Sequence, residues 1–168
     1  MWVDIIAVII LCLSILGGLR EGAVRQFFSL LIILIAIPLT GLFYYLIAAL
    51  LAFLPGTNWE NFIGFFITMV VISIILYFIF FIPRSFIQKA WKKGLLYRIF
   101  GGAFNVFNAA VSLTLFTLVL GAYPVLDFLL RAVADSTVLT WLAENLRFVQ
   151  EMLPEVFRYT PGFVPFQT

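Results

Sequence analysis

Long apolar runs separated by short polar stretches predict a chain of membrane-spanning helices. A transmembrane helix requires about 20 apolar residues to cross a hydrocarbon core about 30 Å thick. Four runs approach or exceed that length and carry almost no charge. The pattern therefore predicts an all-α, polytopic membrane protein built from two helical hairpins. Its predicted spans lie at about residues 3–19, 26–54, 60–83 and 97–122.

Glycine, proline and charged residues set the boundaries of these runs. The stretch Gly17–Gln26 holds three glycines, two arginines and one glutamate, which predicts a tight, water-facing turn between the first two spans. Pro38 lies near the middle of the second run and predicts one kinked helix, because proline removes a backbone hydrogen bond. Thr57 and Glu60 have the spacing of a capping box that begins the third span.

The composition changes after Pro124, where five acids and three arginines are spread along the remaining residues. Asp135 or Ser136 caps a predicted amphipathic helix, whose apolar residues recur three and four apart. These apolar residues are Leu139, Leu142, Leu146, Val149 and Leu153. We therefore predict a four-helix membrane domain at residues 1–123 and an amphipathic helical tail at residues 124–168.

Composition supports the bilayer as the solvent of this chain. Of its 168 residues, 64% are hydrophobic and only 11% are charged, which lies far outside the range of soluble domains. Histidine is absent and cysteine occurs once, so disulfides within the chain and histidine- or cysteine-clustered metal sites are excluded. The net charge of +2 is too small to indicate nucleic acid. We expect no cofactor.

Charge also predicts the orientation of the chain in the membrane. Asp4 precedes the first apolar run, whereas Arg20 and Arg25 follow it, which is the reverse of a secretory signal and favours a retained helix. The first and third loops carry two and five Lys or Arg, and the second loop carries none. Since positive loops stay in the cytoplasm, we expect both termini and the second loop to lie outside it.

Two patterns of small and polar residues are candidates for helix packing or for a polar lining. Gly18 and Gly22 form a small-x-x-x-small pair, which either lets two backbones approach closely or only makes the turn. In the fourth span, four residues share one helix face: Gly101, Asn105, Asn108 and Ser112. Amides inside a membrane need partners, so this stripe either bonds to neighbouring helices or lines a path for a solute.

Seven cations flank the spans on the predicted cytoplasmic side: Arg20, Arg25, Arg84, Lys89, Lys92, Lys93 and Arg98. They set the orientation, and they are also candidates for contact with a protein partner or with anionic lipid headgroups, at about 1 kcal/mol per cation. We expect a homo-oligomer or a membrane-protein partner. No catalytic motif stands in the sequence, neither a His-Glu-x-x-His nor a glycine-rich phosphate loop, so we do not expect an enzyme.

Two segments of the chain resemble a known protein family. The opening Val3-Asp4-Ile-Ile, followed by Gly17-Gly18-Leu-Arg20-Glu-Gly22-x-x-Arg25-Gln26, is similar to the start of the colicin V production protein (CvpA) family. Tyr97-Arg98-x-x-Gly101-Gly102-Ala-Phe-Asn105 looks like its entry to the fourth helix. The resemblance covers about residues 3–120, with a looser match around Asp135 to Pro154. Its motif positions here are Asp4, Gly17, Gly18, Arg20, Gly22, Gly101, Gly102 and Asn105.

The resemblance implies a multi-pass protein of the bacterial inner membrane, associated with colicin V production or export and with envelope homeostasis. Family members also occur joined at their C-terminus to an extracytoplasmic serine protease domain, which agrees with the predicted orientation. The family has no established catalytic residues, so its motif positions are structural candidates here. Two functions compete: a scaffold or accessory protein, and a small oligomeric transporter or channel lined by the polar stripe of the fourth helix.

Overall fold

A computed structural model of the chain describes residues 2–53, 58–90, 94–154 and 157, and these residues form helices and no strand. The helices in chain order are α1 (Trp2–Glu21), α2 (Ala23–Leu50), α3 (Trp59–Ala90), α4 (Leu95–Ala122), α5 (Asp127–Ala134), α6 (Thr137–Asn145) and α7 (Arg147–Glu151). The first four are long and apolar enough to cross a membrane. The predicted all-α fold with four spans is therefore confirmed.

The turn between α1 and α2 is a single residue, shorter than the sequence predicts. α1 continues to Glu21 and α2 begins at Ala23, so Gly22 alone reverses the chain. Its φ of 83° lies in the left-handed region, which glycine adopts without the steric cost that other residues meet. Gly17 and Gly18 are consequently part of α1 and leave the turn to Gly22.

Both prolines of the predicted spans lie inside continuous helices. α2 runs through Pro38, as the prediction of one helix requires. α3 runs through Pro83 to Ala90, so it extends beyond the end predicted at residue 83. Of the predicted capping box, Thr57 lies outside the described residues, while Glu60 stands in the first turn of α3.

α4 is the central helix of the membrane domain. It packs against α1 and against α2, while α3 packs on α2. In the most apolar 18-residue stretch of α4, half of the residues are buried, compared with 17% in the equivalent stretches of α1 and α3. α1 and α3 are therefore the outer helices, and most of their surface is left for lipid. Gly22 contacts Tyr97 in the first turns of α4, so the α1–α2 turn and the start of α4 lie together at what we name the basic end.

After α4 the chain folds back as three short helices, where the sequence predicts one longer amphipathic helix. Ser136 caps α6, and the chain bends at Leu146 between α6 and α7. The apolar residues expected to share one face are all buried, at 0–8% exposure: Leu139, Leu142, Leu146, Val149 and Leu153. They join one core with residues of α4. The location of this segment outside the cytoplasm stays a prediction.

Two contacts beyond α7 attach the chain to α2. The Pro154 ring occupies the space that a side chain at Gly41 would need. Phe157 is fully buried. Its ring centroid lies 5.8, 5.3 and 5.5 Å from those of Tyr44, Phe65 and Tyr123. The segment from α5 to Phe157 therefore contacts α1, α2, α3 and α4 away from the basic end, and we name this side the capped end.

Candidate functional site

The backbones of α1 and α4 approach each other closely at two of the predicted glycines. A Cβ atom on Gly18 would overlap the carbonyl of Gly101, and a Cβ atom on Gly101 would overlap both the carbonyl of Gly18 and the backbone of Gly22. The sequence leaves two interpretations of the Gly18–Gly22 pair, close approach or the turn. Gly18 makes the close approach to α4, whereas Gly22 makes the turn and also contacts α4. Any larger side chain at these positions would separate the helices.

Asn105 forms a hydrogen bond across the same helix pair. Its Nδ2 donates to the backbone oxygen of Ser14 in α1 at 2.6 Å. The amide also lies beside Gly17, where an added Cβ would come within 3.2 Å of Nδ2. An amide inside a membrane is stabilised when it finds a partner on another helix. The predicted polar stripe thus includes an interhelical bond between α4 and α1.

The rest of the stripe is engaged within α4 or buried. The Ser112 hydroxyl donates to the backbone oxygen of Asn108 at 2.9 Å. The Asn108 side chain is 8% exposed, and its Oδ1 accepts no hydrogen bond from a described residue. Gly102 packs beside Leu19, whose Cδ2 would lie 3.3 Å from a Cβ at Gly102. The stripe therefore contains one polar atom that still needs a donor.

The predicted contact cations lie in three different environments. Arg25 forms an ion pair with Glu21 at 2.9 Å, and Gln26 donates to the same carboxylate at 2.7 Å. Both members of that ion pair are substantially exposed, so the pair contributes little to stability. Arg20, Lys89 and Arg98 are exposed, while Arg84 stacks over the ring of Tyr77. Lys92 and Lys93 lie outside the described residues.

At the capped end, Asp4 of α1 caps the beginning of α6. One carboxylate oxygen, Oδ1, accepts hydrogen bonds from the Ser136 hydroxyl at 2.8 Å and from the Val138 amide at 3.0 Å. Ser136 in turn accepts from the Leu139 amide at 3.2 Å. These bonds satisfy two of the amides that a helix start leaves unpaired, and the negative charge is favourable at this end of the helix dipole.

A pair of tyrosines joins α2 to the residue after α4. The hydroxyls of Tyr44 and Tyr123 lie 2.7 Å apart and share a hydrogen bond. Burial, assisted by this bond, raises the pKa of Tyr123 above its ordinary value. The hydroxyl therefore stays protonated at neutral pH, and the pair completes the aromatic pocket around Phe157.

Sequence reasoning found some of these residues and missed others. Gly18, Gly101 and Asn105 were found because small and amide residues at helical spacing indicate close packing in membranes. The Tyr44–Tyr123 pair and the Ser136–Asp4 bond were missed, because each joins residues far apart in the chain. The sequence marks Asp4 as a charge before the first span and as a family-motif position, but not as the cap of α6. The available signal was an acid, Asp4, at the end of the membrane domain where α6 begins with backbone amides that need acceptors.

Replacing Gly18 by alanine should destabilise the protein strongly, because the added methyl group overlaps the backbone of Gly101. We expect a loss of at least about 1–3 kcal/mol in the free energy of unfolding, as overpacking typically costs. Unfolding in mixed micelles, followed by circular dichroism, measures this change. Gly94→Ala is the matched control, since a Cβ there meets no atom within 4 Å. Equal stability of the two variants would contradict the close contact.

Replacing Asp4 by alanine should loosen α6, because the Ser136 hydroxyl and the Val138 amide both lose their acceptor. The loss of a capping group costs about 1 kcal/mol, so the Val138 amide should exchange its hydrogen about fivefold faster. Hydrogen exchange with mass spectrometry measures this rate. Asp4→Asn keeps an acceptor oxygen and should lie between wild type and Asp4→Ala. The exposed neighbour Asp135→Ala should leave exchange unchanged, and an identical effect there would refute the capping role.

Comparison with known proteins places this arrangement in a family. A family model described as Colicin V production protein matches residues 3–147. No curated protein and no solved structure matches the chain. The matched region holds almost all of α1 and the whole of α2 to α6, and so includes both the Gly18–Gly101 contact and the Asp4–Ser136 bond. The chain therefore belongs to the colicin V production protein family.

Proposed function

We propose that this protein is a non-enzymatic scaffold or accessory protein of the bacterial inner membrane, acting in colicin V production or export and in envelope homeostasis. Membership of the colicin V production protein family supports the pathway. The four helices long enough to span a membrane support the location in a bilayer. The scaffold role depends on how the polar and small residues are used.

The single observation that carries the scaffold role is the engagement of the polar stripe inside the chain. Gly101 contacts Gly18, the Asn105 amide bonds to Ser14, and Ser112 bonds to its own helix. A solute path needs a row of polar groups that are free to exchange partners. Gly101 and Asn105 are instead committed to holding α1 and α4 together, and the Ser112 hydroxyl is bonded within α4, which favours a structural role.

A groove of about 720 Å³ lies on the outside of α1 and α4. It supports the second part of the scaffold proposal, which is that the protein binds a helix of a partner. α4 contributes small residues to it, among them Gly102, Ala103 and Ala110, and Trp141 of α6 borders it. Small residues allow a neighbouring transmembrane helix to approach closely. In our proposal this α1/α4 groove receives a helix of another membrane protein or of a second copy.

Orientation is the remaining part of the proposal. Arg20 and Arg25 lie beside the α1–α2 turn, and Arg98 lies in the first turns of α4, so these cations gather at the basic end. Positively charged loops favour the cytoplasm. With the basic end in the cytoplasm, the capped end and both termini face the opposite side. The helices α5 to α7 are then available to extracytoplasmic partners.

A photo-crosslinking residue at Ala103 tests the scaffold role in cells. Ala103 is exposed and lies in the α1/α4 groove, so we expect crosslinks to a defined membrane protein, identified by mass spectrometry. The same residue at Ile79, which is 60% exposed on α3, is the control and should give lipid adducts. Lipid adducts alone from both positions would overturn the scaffold proposal.

One observation favours the small oligomeric transporter or channel as a second candidate. The buried Oδ1 of Asn108 has no donor among the described residues, and a passing solute or water is one possible donor. If the scaffold role is correct, liposomes containing the purified protein should show no solute flux. Flux that is lost in the Asn105→Leu, Asn108→Leu double variant, with assembly unchanged by gel filtration, would establish the channel instead.

A further inference from the structure

A second groove, of about 740 Å³, lies between α3 and α4 with α2 behind it. α3 packs mainly on α2 and also reaches α4 near the capped end, where the ring centroids of Phe66 and Phe116 lie 6.1 Å apart, and the groove lies beyond that contact. Each of the three helices contributes a small serine to the lining, and these are Ser29, Ser73 and Ser112. Most of the remaining lining residues are apolar. We name this space the α3/α4 groove.

The size of the α3/α4 groove suits a chain-like ligand. Along α3 it extends from Phe66 to Phe78, which is about 18 Å at 1.5 Å per residue. One leaflet of the hydrocarbon core is about 15 Å thick, half of the full 30 Å. An acyl chain of one leaflet matches the length of the groove.

Arg84 supplies a positive charge at the end of the groove nearest the basic end. Its guanidinium carbon lies 5.5 Å from the ring centroid of Tyr77, and Tyr77 lines the groove. Side chains on a helix lean toward its N-terminus, which for α3 is the capped end. Arg84 therefore leans over Tyr77 at the end of the groove, toward the hydrocarbon and away from the water beyond the basic end.

No described acid neutralises Arg84. Glu21, the acid at the end of α1, is already engaged by Arg25 and Gln26. The sequence from Arg84 to Arg98 contains no acid at all. A guanidinium that is partly buried, lies over Tyr77 and has no acidic partner among the described residues is favourably placed to bind a phosphate. The apolar groove is complementary to the acyl chain of a phospholipid, and the cation is complementary to its phosphate.

We infer that the α3/α4 groove binds an anionic phospholipid, with its phosphate on the Arg84 guanidinium and one acyl chain between α3 and α4. The charge of Arg84 selects for an anionic headgroup, and the apolar lining holds the chain. The three serines make room for it by their small size, and the Ser112 hydroxyl is already turned back onto α4. The ligand fills the space that α3 leaves beside α4.

Native mass spectrometry of the delipidated protein, with all 168 residues present, tests this inference. Phosphatidylglycerol should bind more tightly than phosphatidylcholine with the same acyl chains. Arg84→Gln should weaken phosphatidylglycerol binding about fivefold, the effect of one cation near a membrane surface. The control is Arg131→Gln, an exposed cation of α5 at the capped end, which should leave affinity unchanged. Equal losses in both variants would indicate diffuse attraction to basic residues and overturn the site.

Two further measurements distinguish binding of the acyl chain in the groove from binding of the headgroup alone. Ser73→Phe should fill the groove and remove the preference for phosphatidylglycerol, while Ile79→Phe, at an α3 position that does not line it, should not. Both variants should keep the gel-filtration profile and helical content of the wild type. Glycerol 3-phosphate, a headgroup without chains, should not compete with the lipid. Full competition by it, or unchanged lipid binding in Ser73→Phe, would refute the acyl-chain site.

Discussion

The contact between the backbones of Gly18 and Gly101 determines how the other elements meet. Lipid tails are as apolar as the side chains of the helices, so burial from water gives helices little reason to associate within a bilayer. Close approach provides dispersion and Cα–H···O contacts instead. It also brings Asn105 within reach of the Ser14 carbonyl. Because Gly22 rests on Tyr97 of α4, the beginning of α2 is positioned by the same contact.

Both ends of α1 are therefore held by distant parts of the chain. The basic end is held by α4 through Gly18 and Gly22, and the capped end by α6 through Asp4. Phe157 adds an attachment to α2 and α3 through Tyr44 and Phe65. The segment after α4 is consequently attached to each of the four long helices.

The sequence predicts the spans well because the bilayer imposes a minimum length of apolar residues, which any run either meets or does not. It predicts the stripe through Asn105 for a similar reason, since an amide in hydrocarbon requires a partner. The partner itself depends on the register between α1 and α4, which no local pattern contains. The sequence does not reveal the bend at Leu146, because buried apolar residues recur with the same spacing through α6 and α7. The capping of α6 by Asp4 joins residues 134 apart, from Asp4 to Val138.

That separation has a consequence for the timing of biosynthesis. Chains grow at about 5–20 residues per second, so Ser136, 132 residues after Asp4, emerges about 7–26 s later. During that interval α1 is already made, yet its carboxylate still lacks the hydroxyl and the amide that it accepts from in the finished fold. The order of synthesis thus makes α6 the element that completes α1, and a chain halted before α6 would leave its first helix unfinished.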